Sequence, residues 1–332
     1  MDRIAVVGAG SWGTTVAALA ARSTPTMLWA RRPELADEIN ETRENLHYLP
    51  GLALPEGLSA SSDLETAVDG ADALVMAVPS HGFREIYTRV AGQLNPNVPV
   101  LSLTKGIEQD SLATMTQIVR ETSPGTDASV VGVMTGPNLA SEVAAGQPTA
   151  SVIAMADRAT ARRLQHVFMG PTFRVYTHDD VVGCELGGAL KNVMAIASGM
   201  SDGLGFGDNT RATLMTRALA ELTRLGVALG GRPATFAGLA GMGDLIVTCI
   251  STASRNHQVG YSLASGKTLD QVVTEMSMVA EGVKTTRAVL DLAERNEIDM
   301  PIASHVGYVL YEGLDPKEAV LRLMTREAKQ ED

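Results

Sequence analysis

The feature that most constrains the fold is a glycine pattern near the start of the chain. Apolar residues 4–7 are typical of a buried strand, and small residues 14–21 are typical of a helix. Between them, Gly8, Gly10 and Gly13 form G-x-G-x-x-G. In this context the first glycine permits a tight turn, the second lets the backbone approach a pyrophosphate, and the third lets the helix pack close to the strand. The helix start favours phosphate, so the pattern predicts a dinucleotide site.

Strand and helix patterns alternate through the first half of the chain and then stop alternating. Up to residue 180, short β-branched or apolar runs are separated by amphipathic stretches, which predicts βαβ units and a mostly parallel sheet. From residue 181 onward we find only helical patterns and Gly-rich loops. We therefore expect an α/β protein, with a doubly wound Rossmann-type sheet domain (1–180) followed by an all-helical, substrate-binding domain (181–332). The predicted strands are 3–8, 26–30, 58–61, 73–78, 98–103, 129–135, 149–155 and 173–177.

Charge and composition exclude several classes of partner. The chain has 27 Lys and Arg against 38 Asp and Glu, a net charge of −11, which disfavours nucleic acid and anionic membranes. No secretory signal and no run of about twenty apolar residues is evident, so we expect a cytoplasmic protein without stable membrane insertion. Cys184, Cys249 and the six histidines show no metal-ligand spacing, and we expect no metal.

The end of the second predicted strand indicates which nucleotide is used. Domains selective for NAD carry an acidic residue about twenty positions after the glycines, where it binds the ribose 2′-hydroxyl. Here Arg31 and Arg32 occupy that place, and no acidic residue appears before Glu34. Two arginines suit a 2′-phosphate, which favours NADP(H) with NAD(H) still usable. The alternative is a pair of solvated charges at a strand end.

Several polar residues follow the carboxyl ends of predicted strands, where doubly wound sheets bind ligands. Lys105 and Gly106 follow one strand, and Gly136, Pro137 and Asn138 follow another. Lys105 is a candidate cation facing the cleft, although a surface lysine is the alternative interpretation.

Lys191 is the most unusual charged residue of the second half. It lies within a long, otherwise apolar and small-residue helical stretch, residues 184–200. A lysine there is expected to be partly desolvated, which lowers its pKa toward the range useful for proton transfer. The alternative is a lysine on the polar face of an amphipathic helix.

Two further segments carry residues suited to an anionic ligand. Asp244 follows a Gly-rich loop, where it could bind substrate, cap a helix or do both. Ser254, Arg255 and Asn256 combine a hydroxyl, a guanidinium and an amide at a predicted helix start, which is good equipment for binding an anion. The alternative is an ordinary capped helix.

Taken in order along residues 4 to about 324, these segments resemble bacterial NAD(P)-dependent glycerol-3-phosphate dehydrogenase. Each segment alone is a modest signal, whereas their joint occurrence in this order is highly specific. The segments are GAGSWG (8–13), NLHYLPG (45–51), TKGIE (104–108), GP (136–137), ELGGALKN (185–192), GLGFGDN (203–209), GMGDL (241–245), SRN (254–256) and VAEG (279–282).

The resemblance implies an oxidoreductase that reversibly reduces dihydroxyacetone phosphate to sn-glycerol 3-phosphate, the backbone of glycerophospholipids. It implies hydride transfer to C2, with Lys191 as proton donor and acceptor at the C2 oxygen, and a homodimer as an open possibility. The substrate-binding residues that follow are Lys105, Gly136, Asn138, Lys191, Asp244, Ser254, Arg255 and Asn256. The cofactor-binding residues are Gly8, Gly10, Ser11, Trp12, Gly13, Arg31, Arg32, Lys105, Ala140, Arg255, Val279 and Glu281.

Two positions depart from the family pattern. Asn138 stands where the family usually has serine, and its amide can also form hydrogen bonds. The turn before the second strand is one residue short, so Arg31 and Arg32 both remain candidates for the 2′-phosphate. The competing functions are another two-domain ketone or hydroxyacid reductase and a non-enzymatic NADPH sensor.

Overall fold

The computed structural model describes residues 1–276, 280–327 and 330, and one eight-stranded sheet forms the first part. Its strands are β1 (Ile4–Val7), β2 (Thr26–Trp29), β3 (Leu58–Ser61), β4 (Ala73–Met76), β5 (Val100–Ser102), β6 (Val131–Thr135), β7 (Thr149–Ala154) and β8 (Phe173–His178). The spatial order is β3-β2-β1-β4-β5-β6-β7-β8. Strands β1 to β6 are parallel, β7 is antiparallel to β6, and β8 is parallel to β7. The prediction of a mostly parallel sheet is confirmed.

Helices cover both faces of the sheet, which makes it doubly wound. They are α1 (Ser11–Ala20), α2 (Pro33–Thr42), α3 (Leu64–Val68), α4 (Ser80–Ala91), α5 (Met115–Thr122), α6 (Ala140–Ala144) and α7 (Arg158–Phe168). Successive side chains of a strand point to opposite faces. Val6 accordingly packs in one apolar cluster with Val16 of α1, whereas Val7 packs in another with Phe83 of α4. Burial on both faces explains why β1 is apolar throughout.

The second part is helical, as predicted, and the described residues beyond 180 contain no strand. Nearly every residue of the long helix α8 is buried, and the other helices pack around it. The helices are α8 (Val181–Gly203), α9 (Asp208–Ala228), α10 (Pro233–Phe236), α11 (Asp244–Ile250), α12 (Arg255–Ala264), α13 (Leu269–Glu275), α14 (Glu281–Arg295), α15 (Pro301–Glu312) and α16 (Pro316–Met324). A π-helical turn, Leu239–Gly243, leads directly into α11.

Glycines let α8 and α12 approach each other closely. A Cβ atom added to Gly199 of α8 lies only 1.9 Å from the carbonyl oxygen of His257. A Cβ added to Gly260 of α12 lies 1.9 Å from the carbonyl oxygen of Ile196. Side chains at these positions are therefore incompatible with the helix spacing. The close packing fixes α12 against the C-terminal half of α8.

Buried carboxylates satisfy the N–H groups at two helix starts. Asp180 accepts hydrogen bonds from the backbone N–H of Gly183, at 2.9 Å, and from the Thr235 hydroxyl at 2.5 Å. Glu221 accepts from the backbone N–H of Ile302 at 2.8 Å. Burial raises the pKa of Glu221 to about 7, although its hydrogen bonds act in the opposite direction. These contacts replace the missing intrahelical partners of the first turns.

Two helical stretches are long and apolar enough to cross a membrane by length and composition alone. They are α8 and the segment 233–250. Length and composition alone do not distinguish a membrane span from the core helix of a folded protein. However, most of α8 is buried inside the protein, as in the core helix of a helical bundle.

Candidate functional site

The glycine turn after β1 has the shape predicted from its sequence. Gly8 adopts a φ of +121°, which is unfavourable for residues with a side chain. A Cβ on Gly13 lies 1.9 Å from the carbonyl oxygen of Gly8, so the third glycine permits the contact between α1 and the turn. A Cβ on Gly10, by contrast, meets no atom of the described chain within 4 Å. The start of α1 is therefore open at Gly10, where a pyrophosphate can approach.

The loop that follows α2 supports this turn. The Asn45 side chain is fully buried and donates to the carbonyl oxygen of Ala9, at 2.9 Å, and to the Thr14 hydroxyl at 2.8 Å. The Ser11 hydroxyl donates to the carbonyl oxygen of Tyr48 at 2.6 Å. These bonds hold the turn in position from outside the strand–helix unit. The sequence predicted the turn but not this support.

Trp12 and Ala140 lie near the same helix start. The indole N–H of Trp12 is buried and has no hydrogen-bond partner among the described residues. The carbonyl oxygen of Ala140, the first residue of α6, accepts from the Thr15 hydroxyl at 3.4 Å. The structure thus brings both predicted cofactor residues next to α1.

Arg31 and Arg32 follow β2 and are both exposed. The guanidinium carbon of Arg32 lies 5.7 Å from the centre of the Tyr48 ring. Arg32 also directly precedes the first residue of α2. The sequence could not distinguish the two arginines, whereas the structure gives Arg32 an aromatic neighbour.

Glu281, at the start of α14, reaches the edge of the sheet. Its carboxylate accepts from the Ser80 backbone N–H at 3.1 Å and from the Ser80 hydroxyl. Ser80 is the first residue of α4, so Glu281 closes a helix start next to the loop after β4. Val279, also predicted to contact the cofactor, lies outside the described residues.

The central feature of the site is a buried carboxylate between two lysines. Lys191 of α8 and Lys105, after β5, each place their Nζ atom 2.6 Å from a different oxygen of Asp244. The Asp244 side chain is 1% exposed, that of Lys191 7% and that of Lys105 18%. Two ammonium groups on one carboxylate leave an excess positive charge in a poorly solvated place. Such a site attracts an anion or a developing oxyanion.

Burial and neighbouring charge set the protonation of this group. Burial lowers the pKa of Lys191 to about 8; Asp244 opposes that shift and Lys105 adds to it. Burial alone raises the pKa of Asp244, but the charges of Lys105 and Lys191 hold it below its ordinary value. Asp244 is therefore ionised at neutral pH, and Lys191 is poised to gain or lose a proton.

Local packing explains why these three residues meet. A Cβ on Gly188 of α8 lies 2.8 Å from the Thr135 hydroxyl and 3.4 Å from Cγ of Lys105. A Cβ on Gly187 lies 2.5 Å from the carbonyl oxygen of Ala240, in the π-helical turn. The paired glycines of α8 thus make room for the Lys105 stem on one side and for the segment leading to Asp244 on the other.

Two findings on α11 could not be read from the sequence. Gly243 is the N-cap of that helix and Asp244 is its first residue, so the interpretation of Asp244 as the N-cap is wrong. Thr248, one turn later, accepts from Lys191 Nζ at 2.5 Å and donates to the carbonyl oxygen of Asp244 at 2.6 Å. The i, i+4 spacing of Asp244 and Thr248 is the one sequence signal for this contact.

The loop after β6 provides the opposite wall. Gly136 has a φ of +131°, and its carbonyl oxygen accepts from Lys105 Nζ at 3.1 Å. The Asn138 amide donates to the hydroxyl of Ser151 at 3.3 Å. Its own side-chain oxygen is buried and has no partner among the described residues. A ligand with a hydroxyl or N–H donor can satisfy that oxygen.

The start of α12 carries the three predicted anion-binding residues. The Ser254 hydroxyl accepts from the backbone N–H of His257 at 3.4 Å, so Ser254 caps the helix as predicted. The Arg255 side chain is exposed. Desolvation of the Arg255 guanidinium by neighbouring protein atoms lowers its pKa, and the negative charge of Glu281 opposes that shift. Asn256, in contrast, is buried.

Two asparagine amides connect α14 to the Lys105 loop. The backbone N–H of Gly282 donates to Asn256 at 2.9 Å, Asn256 donates to Asn192 at 3.0 Å, and Asn192 donates to the carbonyl oxygen of Lys105 at 3.2 Å. A fixed donor at one end and a fixed acceptor at the other determine the orientation of both amides. Asn192 was missed as a separate site residue because nothing local reveals this partner.

Comparison with protein families identifies the relatives of this chain. The model for the N-terminus of NAD-dependent glycerol-3-phosphate dehydrogenase matches residues 3–161. The model for the C-terminus of the same enzyme matches residues 180–321. Together the two matches span both the sheet and the helices.

Individual proteins agree with the family match. Glycerol-3-phosphate dehydrogenase [NAD(P)+] 2 of Sphingopyxis alaskensis is 56% identical over 304 residues, covering 92% of this chain and 90% of the relative. Glycerol-3-phosphate dehydrogenase [NAD(P)+] of Geobacter sp. strain M21 is 50% identical over 331 residues, covering 99% of each chain. The crystal structure of glycerol-3-phosphate dehydrogenase from Coxiella burnetii superposes with a TM-score of 0.92 at 38% identity, covering 98% of this chain and 99% of that one.

Proposed function

This chain belongs to the NAD-dependent glycerol-3-phosphate dehydrogenase family, and on that premise we propose how its residues carry out the reaction. The chain is an oxidoreductase that interconverts dihydroxyacetone phosphate and sn-glycerol 3-phosphate with NADP(H) or NAD(H). The residue roles below are our proposals. They rest chiefly on the two lysines that share the buried carboxylate of Asp244.

The glycine turn fits a dinucleotide. Gly10 leaves open space at the start of α1. The buried N–H of Trp12 has no acceptor among the described residues, and a bound group can supply one. We assign the pyrophosphate to this turn, where free backbone N–H groups favour negative charge. Further cofactor contacts are assigned to Lys105 and to one of the two arginines, Arg31 or Arg32. The remaining residues assigned to the cofactor are Gly8, Ser11, Gly13, Ala140, Arg255, Val279 and Glu281.

The substrate phosphate is assigned to the start of α12. Because the chain has a net charge of −11, an anionic substrate needs cations placed locally. Arg255 offers a planar fork of donors suited to phosphate, next to Ser254 and Asn256. Asn138 and Gly136 form the opposite wall, where the unpartnered oxygen of Asn138 suits a substrate hydroxyl.

Lys191 is assigned as the catalytic acid and base. When bound, the nicotinamide supplies or accepts the hydride at C2. In the reducing direction the Lys191 ammonium donates a proton to the oxygen on C2, and in the oxidising direction the neutral amine takes it back. Asp244 and Thr248 hold Nζ of Lys191 in place. Lys105 supplies a second positive charge beside the developing oxyanion.

Further assignments rest on the same family membership. We propose a division into a dinucleotide-binding domain, residues 1–180, and a substrate domain, residues 181–332. We also propose that the enzyme acts in the cytoplasm, forms a homodimer and supplies the backbone of glycerophospholipids. None of these proposals bears on the chemistry at Lys191.

An absorbance assay at the NADPH band tests the function directly. Consumption of NADPH is expected with dihydroxyacetone phosphate, and absence of turnover would leave a reductase of another ketone or hydroxyacid, or a nucleotide sensor. We expect Arg255→Ala to raise KM for the phosphorylated ketone, because a charged hydrogen-bonding partner is lost. The matched substrate is dihydroxyacetone, which has no phosphate. If the ratio of activities on the two ketones is unchanged in the variant, the phosphate is bound elsewhere.

A further inference from the structure

A loop outside the predicted site carries an aromatic residue that connects two parts of the cofactor region. Tyr48 belongs to the segment 45–51, between α2 and β3. Its backbone N–H donates to the Asn45 side-chain oxygen at 3.1 Å, and its carbonyl oxygen accepts from the Ser11 hydroxyl at 2.6 Å. Asn45 in turn holds the carbonyl oxygen of Ala9. The backbone of Tyr48 is thus fixed relative to the glycine turn.

The ring of Tyr48 has a second set of contacts. It packs partly against the apolar cluster beneath α1. His47 meets it edge to face, with ring centres 4.4 Å apart. The guanidinium of Arg32 lies over the ring, 5.7 Å from its centre. A ring with a fixed backbone and packed edges therefore provides a preorganised platform for this cation.

A platform of this kind matters because Arg32 is exposed. A free arginine samples many rotamers, and binding an anion fixes them at an entropic cost. A cation over an aromatic face is held by the ring quadrupole, which uses none of the guanidinium N–H groups. Those donors stay available for a bidentate contact with a phosphate.

We propose that Tyr48 is a specificity-determining positioning residue, which holds Arg32 at the end of β2 and so favours NADPH over NADH. The proposal rests on the assignment of these arginines to the 2′-phosphate given above. It also selects Arg32 as the principal contact, which the sequence left open between Arg31 and Arg32. The group recognised is the phosphomonoester on the adenosine ribose, whose charge and oxygens NADH lacks.

The test compares two substitutions at one position. Tyr48→Leu keeps apolar packing but removes the ring, whereas Tyr48→Phe keeps the ring and removes only the hydroxyl. We expect Tyr48→Leu to raise Kd for NADPH about three- to tenfold, as for loss of a cation–π contact, with Kd for NADH changed less than about twofold. Tyr48→Phe is expected to leave both constants unchanged.

Ligand fragments give a readout independent of turnover. Binding of 2′,5′-ADP and of 5′-AMP, measured by calorimetry, isolates the contribution of the 2′-phosphate. Tyr48→Leu is expected to weaken the binding of 2′,5′-ADP and to leave the binding of 5′-AMP unchanged. In an Arg32→Ala background, the same substitution is expected to have no further effect on the ratio of the two fragments. Melting temperature shows whether each variant is folded, and Tyr48→Met replaces Tyr48→Leu if the latter is not.

The outcomes separate this inference from the function it rests on. Equal weakening of NADPH and NADH by Tyr48→Leu means that the loop only supports the glycine turn, and the proposal is then wrong. If Arg32→Ala still weakens NADPH selectively in that case, the assignment of the arginine stands. If the double variant Arg31→Ala, Arg32→Ala weakens both cofactors equally, the assignment of the 2′-phosphate fails as well.

Discussion

The cofactor turn and the lysine site are built in opposite ways. At Gly10 the binding surface is formed by backbone and open space, because a side chain is absent. At Asp244 the surface is formed by charged side chains, two lysines that both contact one carboxylate. The first site comes from one continuous strand–turn–helix segment. The second combines the β5 loop, α8 and α11, which are far apart in sequence.

The difference shows what each task requires. Binding a pyrophosphate needs backbone N–H groups at a helix start, which every residue type except proline provides, so the sequence need only avoid obstruction. Proton transfer needs one amine with an adjusted pKa, and only burial together with neighbouring charge provides it. The lysine site is consequently sensitive to single charges, whereas the turn is sensitive to added volume.

The substitution with the largest expected effect disrupts the lysine site and leaves the glycine turn intact. Lys191→Ala removes the group assigned to proton transfer, so kcat should fall about 10²- to 10⁴-fold. Steady-state kinetics measure that loss, and fluorescence titration should show an unchanged Kd for NADPH. The matched control is Lys267→Ala, which removes a surface lysine paired with Glu275. Near-normal turnover in Lys191→Ala would exclude the assignment.

A second pair of variants breaks the turn in two different ways. Gly13→Ala places a methyl group against the Gly8 carbonyl oxygen, and we expect stability to fall by about 2–4 kcal/mol. Gly10→Ala adds the same methyl group in open space, with a φ of −73° that alanine tolerates. It should melt normally but bind NADPH and NADH about tenfold more weakly. If folded Gly10→Ala binds both cofactors with normal affinity, the assignment of the pyrophosphate to this turn is wrong.

The pH dependence of activity tests how neighbouring charges set the pKa of Lys191. Because the pKa of Lys191 is about 8, kcat/KM for ketone reduction should be flat at lower pH and fall above pH 8 as the ammonium is lost. Oxidation of glycerol 3-phosphate should rise over the same interval. In Lys105→Met a neighbouring positive charge is gone, so the pKa of Lys191 and the falling limb should move to higher pH. If the pH at which kcat/KM falls is the same in Lys105→Met as in the wild type, the group that titrates is not Lys191.

The smallest expected effect concerns stability away from both sites. The pKa of Glu221 is raised to about 7 in the folded protein, above the value of about 4.3 in an unfolded chain. The folded state therefore binds the proton more tightly, and this contribution to stability is lost as pH rises from about 4.3 through 7. Glu221→Gln should flatten the pH dependence of the unfolding free energy across that window. Urea unfolding at pH 5 and pH 8 measures the difference, with wild type as reference.

Local patterns predicted those parts of the fold whose cause is local. All eight strands were predicted because buried parallel strands are short apolar runs between turns. The short helices α3, α6, α10 and α11 were not predicted, since helices of four to seven residues show too little periodicity in the sequence. The glycine turn was predicted in detail because its geometry depends on neighbours in sequence.

The site residues divide in the same manner. Lys105 and Lys191 stood out as charges in unusual sequence surroundings, and Ser254 as a helix cap. That both lysines contact Asp244 did not follow from the sequence, because the environment of Asp244 depends on which helices pack together. Asn192 and Tyr48 carry no local signal of their contacts, which join residues 87 and 16 positions apart. For Thr248 the sequence shows only the i, i+4 spacing to Asp244, and not the contact with Lys191 across α8 and α11.

The sequence by itself determined the alternation of strands and helices, the open turn at Gly10 and the identity of the charged groups. These depend on backbone preference and burial pattern, which act over a few residues. Only the tertiary structure decided that two lysines share the carboxylate of Asp244 and that Arg32 lies over Tyr48. Electrostatic energy depends on distance and solvation in space, and neither is fixed until the elements pack together.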